Sequence, residues 1–102
     1  MILEVAILNV IAEKTSEFEE SFETAKKIIA KQNGFVSLSL QKCLEKPSRY
    51  ILLVNWKTLE DHTKGFRGSS DYHDWKNLLH HFYDPFPVVE HYELPISTFT
   101  GD

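Results

Sequence analysis

The chain has 102 residues, of which 42% are hydrophobic and 25% are charged, a balance typical of one globular domain and not of two domains or a disordered segment. Its formal net charge of -4 and its lack of any long run of Lys or Arg disfavour a nucleic-acid partner, because binding to phosphates needs a basic surface. The apolar runs are too short to span a bilayer and the N-terminus lacks the pattern of a secretion signal, so we expect a cytoplasmic protein.

The first predicted strand comprises residues 2–11, which are apolar at nearly every position, as expected for a strand covered on both faces. Asn9 interrupts this run, and its amide either pairs with backbone or points into a pocket. Thr15 or Ser16 then caps a predicted helix, with Glu19 at the capping-box position for Ser16. Asn33-Gly34 ends this helix, whose apolar face comprises Phe18, Phe22, Ala25 and Ile29.

The next two strands form a predicted hairpin. Residues 35–44 alternate between apolar and polar side chains, residues 45–48 make the turn, and residues 49–56 are again apolar on both faces. Cys43, the only cysteine, excludes an intramolecular disulfide and a cysteine zinc cluster. We expect it to be an ordinary strand residue.

A second helix begins at Thr58 and is predicted to be interrupted. Leu59, His62 and Phe66 should share its inner face. Gly65 and Gly68 then loosen the chain, before Ser69 or Ser70 caps a further segment with an apolar stripe of Tyr72, Trp75, Leu79 and Phe82. The Asp84-Pro85-Phe86-Pro87 sequence stops the helix, and residues 88–94 form the last predicted strand.

The predicted order β-α-β-β-α-β is that of an α+β, ferredoxin-like fold, with one antiparallel four-stranded sheet and both helices on one face. Residues 1–102 then form a single domain. Because the first and third strands are apolar on both faces, the other side of the sheet also needs a cover. We expect a second copy of the chain there, in a homodimer packed sheet to sheet.

Both tryptophans and all five histidines lie within residues 51–92. This half contains Asn55-Trp56, then LEDHTKGFRGSSDYHDW, and finally PFPVVEHY. In these residues the sequence resembles the antibiotic biosynthesis monooxygenase (ABM) domain family, and the resemblance extends over essentially the whole chain. It implies a dimeric α+β barrel. It also implies oxygen chemistry without flavin or metal, in which a deprotonated phenol, quinol or anthrone passes an electron to O2 and the resulting peroxide collapses to a quinone.

Such chemistry needs an apolar pocket, a base and donors for a developing negative charge. His62, which matches the histidine common in the second helix of the family, is the predicted proton acceptor; otherwise it is a structural histidine at the boundary of helix and sheet. Asn9 or Arg67 would hold the oxyanion, although Arg67 could equally be an exposed side chain in a flexible turn. The predicted substrate-binding residues are Trp56, Phe66, Tyr72, Trp75, Phe82 and His91.

His73, His80 and His81 are predicted to lie on the surface, and no His–acid spacing indicates a metal site, so we assign neither a metal nor a cofactor. Trp75 and Lys76 stand near the position of the iron-ligating histidine of haem-degrading relatives, which disfavours haem degradation. The main hypothesis is a cofactor-independent monooxygenase acting on a small aromatic, quinol-like or anthrone-like molecule. The alternatives are a non-catalytic dimeric binding module for small molecules and a haem-binding relative.

Overall fold

Four strands form one antiparallel sheet in the computed structural model, which describes residues 1–101. They are β1 (Ile2–Asn9), β2 (Phe35–Lys42), β3 (Arg49–Trp56) and β4 (Val89–Tyr92), arranged in the order β2-β3-β1-β4. Helices α1 (Thr15–Ala30) and α2 (Asp71–Leu79) pack against each other and contribute to the same core as the sheet. The predicted ferredoxin-like β-α-β-β-α-β fold is confirmed.

Side chains on β1 and β3 alternate between two environments, because successive residues of a strand point to opposite faces. The buried, helix-facing set consists of even-numbered residues: Glu4, Ala6, Leu8, Tyr50, Leu52, Val54 and Trp56. The outer face also carries apolar side chains, among them the half-buried Val5, Ile51 and Leu53 and the exposed Ile7. Both strands are therefore apolar on both faces, as predicted.

The first helix differs from its prediction at its N-terminus. A 3-10 turn at Ala12–Lys14 leads directly into α1, so Thr15 and Ser16 lie inside the helix and no side chain caps it. The predicted capping box is wrong, because the Glu19 carboxylate instead accepts a hydrogen bond from the Tyr50 hydroxyl at 2.5 Å. The predicted apolar face is confirmed, and its members Phe18, Phe22, Ala25 and Ile29 are buried.

Three strands are shorter than predicted. β1 ends at Asn9, since Val10 forms only an isolated bridge with Tyr83 and the Ile11 N–H donates to the carbonyl of Phe82. β2 ends at Lys42 rather than residue 44. β4 is limited to Val89–Tyr92, because it pairs only with residues 3–6 of β1.

The interrupted second helix is confirmed, and its first part has an unusual geometry. Residues Asp61–Phe66 form a π-helical turn, which the Thr58 hydroxyl caps by accepting the Asp61 N–H at 3.1 Å. His62 and Phe66 are buried, but Leu59 is 38% exposed, so its predicted place on the inner face is wrong. Helix α2 and a 3-10 turn at His80–Phe82 follow. Within residues 1–101, no helix is both long enough and apolar enough to cross a bilayer.

Candidate functional site

A cavity of about 430 Å³ lies between the inner face of the sheet and the interrupted second helix. Its floor consists of small and aliphatic strand residues, and its walls are mainly aromatic. The apolar lining comprises Ala6, Leu8, Leu52, Phe66, Tyr72, Trp75, Tyr83, Phe86, Pro87 and Val89; the polar lining comprises Glu4, His62, Arg67 and His80. A volume of this order, with few polar groups among aromatic side chains, is typical of a small-molecule site.

The polar groups at one end of the cavity form a connected chain. Nδ1 of His62 and Nε2 of His91 are hydrogen bonded at 2.8 Å, and Nε2 of His62 lies 3.4 Å from Oε1 of Glu4. The same Glu4 oxygen accepts a hydrogen bond from Nε1–H of Trp56 at 2.9 Å. Glu4 therefore connects β3 with the π-helical turn, and His62 connects Glu4 with β4.

Strand register explains why these residues meet. Glu4 of β1 pairs with His91 of β4, and both are on the inner face of the sheet. His62 enters from the π-helical turn, with its ring stacked on that of Trp56 at 5.3 Å between centroids and 18° between planes. The stack and the two polar contacts together limit the orientation of the His62 ring.

Burial lowers the pKa of the two histidines in this group and raises that of Glu4. It lowers the pKa of His62 to about 3, with smaller contributions from the positive charge of Arg67 and from His91, because burial disfavours the charged imidazolium. Burial raises the pKa of Glu4, although the Trp56 hydrogen bond and Arg67 oppose this shift. The pKa of His91 is also lowered, first by burial and then by Arg67. Burial thus disfavours the charged form of each of these three groups relative to the same group in water.

The structure brings together most of the predicted site residues. His62, Phe66, Arg67, Tyr72 and Trp75 line the cavity. Trp56 and His91 do not line the cavity themselves, but their rings pack against that of His62. Phe82 is buried in the core instead, with its ring 5.8 Å from that of Phe18.

Asn9 was predicted to hold an oxyanion, and the structure does not place it at the cavity. As an odd-numbered residue of β1 it belongs to the outer face of the sheet. Its Oδ1 accepts a hydrogen bond from Nε of Arg49 at 3.0 Å. The prediction therefore has to be corrected: Asn9 is a partner of Arg49, on the far side of the sheet from His62.

The histidines of the second helix also need one correction. His73 and His81 are exposed, as predicted. His80 is half-buried and lines the cavity, with its ring 4.9 Å from that of Phe86. The prediction that His80 lies on the surface is wrong. A 3-10 turn begins at His80, after the end of α2, and the His80 ring packs against Phe86.

Sequence reasoning missed Glu4, the acidic residue that lines the cavity, with 5% exposure. Its position carried a signal, since it lies two and four residues before the buried Ala6 and Leu8. A carboxylate in phase with the buried side of a strand needs a specific reason. Tyr83 and Phe86 were also missed, because they belong to the irregular segment before β4, where no periodicity applies.

No group of three or more His, Cys, Asp or Glu side chains within residues 1–101 is arranged to hold a metal ion. In the Glu4–His62–His91 chain, both ring nitrogens of His62 face protein atoms rather than a common point. The cavity offers a mainly apolar space lined also by one carboxyl group, two imidazoles and an arginine.

Comparison with known proteins agrees with this architecture. The model of the family described as antibiotic biosynthesis monooxygenase matches residues 1–78. The chain is 52% identical over 93 residues to the uncharacterized protein YczJ of Bacillus subtilis (strain 168). This alignment covers 91% of this chain and 98% of YczJ. A solved Bordetella bronchiseptica structure described by the same family name superposes with a TM-score of 0.88 at 28% identity, covering 93% of this chain and 97% of the other.

SnoaB, a cofactor-independent oxygenase from Streptomyces nogalater, has the same fold. Its structure superposes with a TM-score of 0.72 over 99% of this chain and 97% of SnoaB, at 19% identity. The match to the family model covers more than half of the chain and agrees with the observed fold. The chain therefore belongs to the antibiotic biosynthesis monooxygenase family.

Proposed function

We propose that the protein is a cofactor-independent monooxygenase that oxidises a small electron-rich aromatic molecule, such as a quinol or an anthrone, with O2. The observation that carries this proposal is the aromatic-walled cavity that ends in Glu4, His62 and Arg67. Removal of a proton turns such a substrate into an anion that can donate an electron to O2. For an anthrone, the sum of the reaction is anthrone and O2 to anthraquinone and water.

The walls of the cavity suit a flat ring. Phe66 packs edge to face against Tyr72 and against Trp75, with centroid distances of 5.2 and 5.6 Å. Such interlocked rings hold their orientation and present apolar surfaces to a ligand. A substrate in this space would exchange part of its water shell for these rings, which strengthens electrostatic interactions with its anion.

Arg67 is the proposed holder of negative charge. Arg67 is an exposed residue that lines the cavity, and its charge helps to lower the pKa of Glu4, His62 and His91 alike. A fixed positive charge that acts on three neighbours also favours an anionic substrate in the same space. Removal of one such electrostatic contact typically lowers kcat by about 10²–10³-fold.

His62 remains the predicted participant in proton transfer. Because its pKa is about 3, the ring holds an added proton only briefly at neutral pH. We therefore propose that it transfers protons and does not store them.

The function is tested by oxygen uptake with a panel of quinols and anthrones, measured against protein-free buffer because these compounds react slowly with O2 unaided. We expect uptake above the blank with at least one substrate, and a loss of about 100-fold in kcat/KM for Arg67→Gln. Lys64→Gln is the matched control, since Lys64, like Arg67, is an exposed cation, but it lies within the preceding π-helical turn and does not line the cavity. Uptake at the blank rate with every substrate would refute the proposal.

A binding module without turnover is the second candidate, because His62 is too weak a base to ionise a substrate by itself. It predicts that quinols quench the fluorescence of Trp75, which lines the cavity, while oxygen uptake stays at the blank rate. The same titration with haemin tests the haem-binding alternative, since His80 lines the cavity. A Soret shift that His80→Gln abolishes would support haem binding.

We also propose that two copies pair through the outer face of the sheet. Support comes from the apolar side chains on that face, with Ile7 40% exposed and Val5, Ile51 and Leu53 only half-buried in the single chain. Light scattering tests this pairing, and the mass of one chain at micromolar concentration would contradict it.

A further inference from the structure

We infer that Glu4 accepts the substrate's proton and that His62 and His91 carry this proton to the edge of the sheet at β4. The inference rests on the proposed function, because it needs a substrate that loses a proton in the cavity. It assigns the chemical step to a carboxyl group of the first strand instead of the histidine of the second helix.

Glu4 has the geometry of a proton acceptor. It lines the cavity, yet it is only 5% exposed. Trp56 and His62 both approach Oε1, at 2.9 and 3.4 Å, so Oε2 is the oxygen to which residues 1–101 make no hydrogen bond. A buried carboxylate with one oxygen fixed and the other free can be directed at a substrate hydroxyl or an acidic C–H.

From Glu4, the proposed path to the edge of the sheet runs through His62 and His91. The substrate O–H or C–H bond breaks, its electron pair stays on the substrate, and the proton forms an O–H bond on Glu4. The proton arrives on Oε2, whereas Oε1 is the oxygen nearer His62, so the carboxyl group must turn to bring Oε2–H to Nε2 of His62. Nδ1–H of His62 then donates to Nε2 of His91 across 2.8 Å. The step of 3.4 Å from Glu4 to His62 must shorten when the ligand binds, as catalytic contacts commonly do. His91 is half-buried on an edge strand and releases the proton to solvent.

The surroundings of Glu4 suit this role. His62 and Arg67 face it from the second helix, His91 from β4, Trp56 from β3, and Tyr83 from the segment before β4. Burial is the largest influence and raises the pKa of Glu4 above its ordinary value, which makes its carboxylate a stronger base than one in water. The lowered pKa of His62 keeps that ring unprotonated and able to accept.

Three variants of the proposed path and one control variant test the inference with anthrone and naphthohydroquinone. Glu4→Gln keeps the size and the acceptor oxygen for Trp56 but cannot take a proton, so kcat should fall by about 10²–10⁴-fold. Glu4→Asp should keep part of the activity. His91→Gln should lower kcat with little change in KM, and added imidazole should restore the rate, which a purely structural role would not allow. His73→Gln, at an exposed position outside the cavity, should behave as wild type.

Anaerobic mixing separates this inference from the proposed function. Without O2, wild type should convert bound anthrone to its anion, detected by its absorption at longer wavelength, and Glu4→Gln should not. Anion formation without oxygen uptake in air would overturn the proposed function and leave the inference standing. Undiminished anion formation and uptake in Glu4→Gln would overturn the inference and leave the function standing. Neither signal with any substrate would overturn both.

Discussion

The buried His62 makes stability depend on pH in a way that the structure determines. Burial, with smaller contributions from Arg67 and His91, lowers the pKa of His62 to about 3, whereas the ordinary value is 6.5. Between these two values the unfolded chain binds a proton that the folded protein does not. Stability from this group is therefore fully present above pH 6.5 and is lost as the pH falls toward 3. The variant His62→Gln lacks this titration.

The size of the effect follows from that interval. At about 1.4 kcal/mol per pKa unit, acidification from pH 6.5 to about pH 4 costs the folded protein about 3 kcal/mol through His62. Glu4 acts in the opposite direction: its raised pKa contributes stability that is present at low pH and is lost as the pH rises. Comparing the proteins with and without His62→Gln, both carrying Glu4→Gln, removes this second contribution. A loss of about 3 kcal/mol is a large part of the usual stability of a domain.

Urea unfolding at pH 7 and pH 4, followed by tryptophan fluorescence at one fixed protein concentration, measures the difference. We expect the protein with His62 to lose about 3 kcal/mol more than His62→Gln over this interval. His73→Gln is the control, because His73 is exposed, and it should follow the parent. Equal losses in the parent and His62→Gln, within about 0.5 kcal/mol, would refute the reasoning.

Three further changes test other parts of the structure. Gly34→Ala should destabilise the fold by about 2 kcal/mol, because Gly34 has a φ of 80° and an added Cβ would overlap the Asp61 side chain; an unchanged urea midpoint would contradict this. Tyr50→Phe should cost about 1 kcal/mol in the same assay, since it removes the hydroxyl bonded to α1, and no loss would mean that water replaces this bond equally well. Ile51→Glu on the outer face should reduce the mass in light scattering to one chain, whereas Leu59→Glu, at an exposed site on the helical side, should not.

The fold could be predicted because its pattern is local. Alternation along the strands, the helical spacing in α1 and the Gly-rich break before α2 each depend on neighbours only a few residues away. The N-terminus of α1 was mispredicted because Glu19, the expected capping partner, bonds to Tyr50 across a separation of 31 residues. The π-helical geometry at Asp61–Phe66 was also missed, since the predicted helical face assumed ordinary helical spacing.

The candidate site could be predicted only in part. His62 and Phe66 share a face in both α- and π-helical geometry, so their placement was secure. Asn9 was assigned from family resemblance, although its odd position on β1 places it on the opposite face from Glu4. The pairing of Glu4 with His91 and its bond to Trp56 depend on strand register over 87 and 52 residues of sequence, which no local pattern contains.

The central claim is that the cavity beside His62 oxidises an aromatic substrate with O2. The most direct measurement is the initial rate of 18O incorporation into anthraquinone from 18O2, compared between wild type, Arg67→Gln and protein-free buffer. We predict labelled product at a rate well above the blank for wild type and about 100-fold less protein-dependent rate for Arg67→Gln. Anthrone that binds in the cavity but acquires label only at the blank rate would contradict the claim.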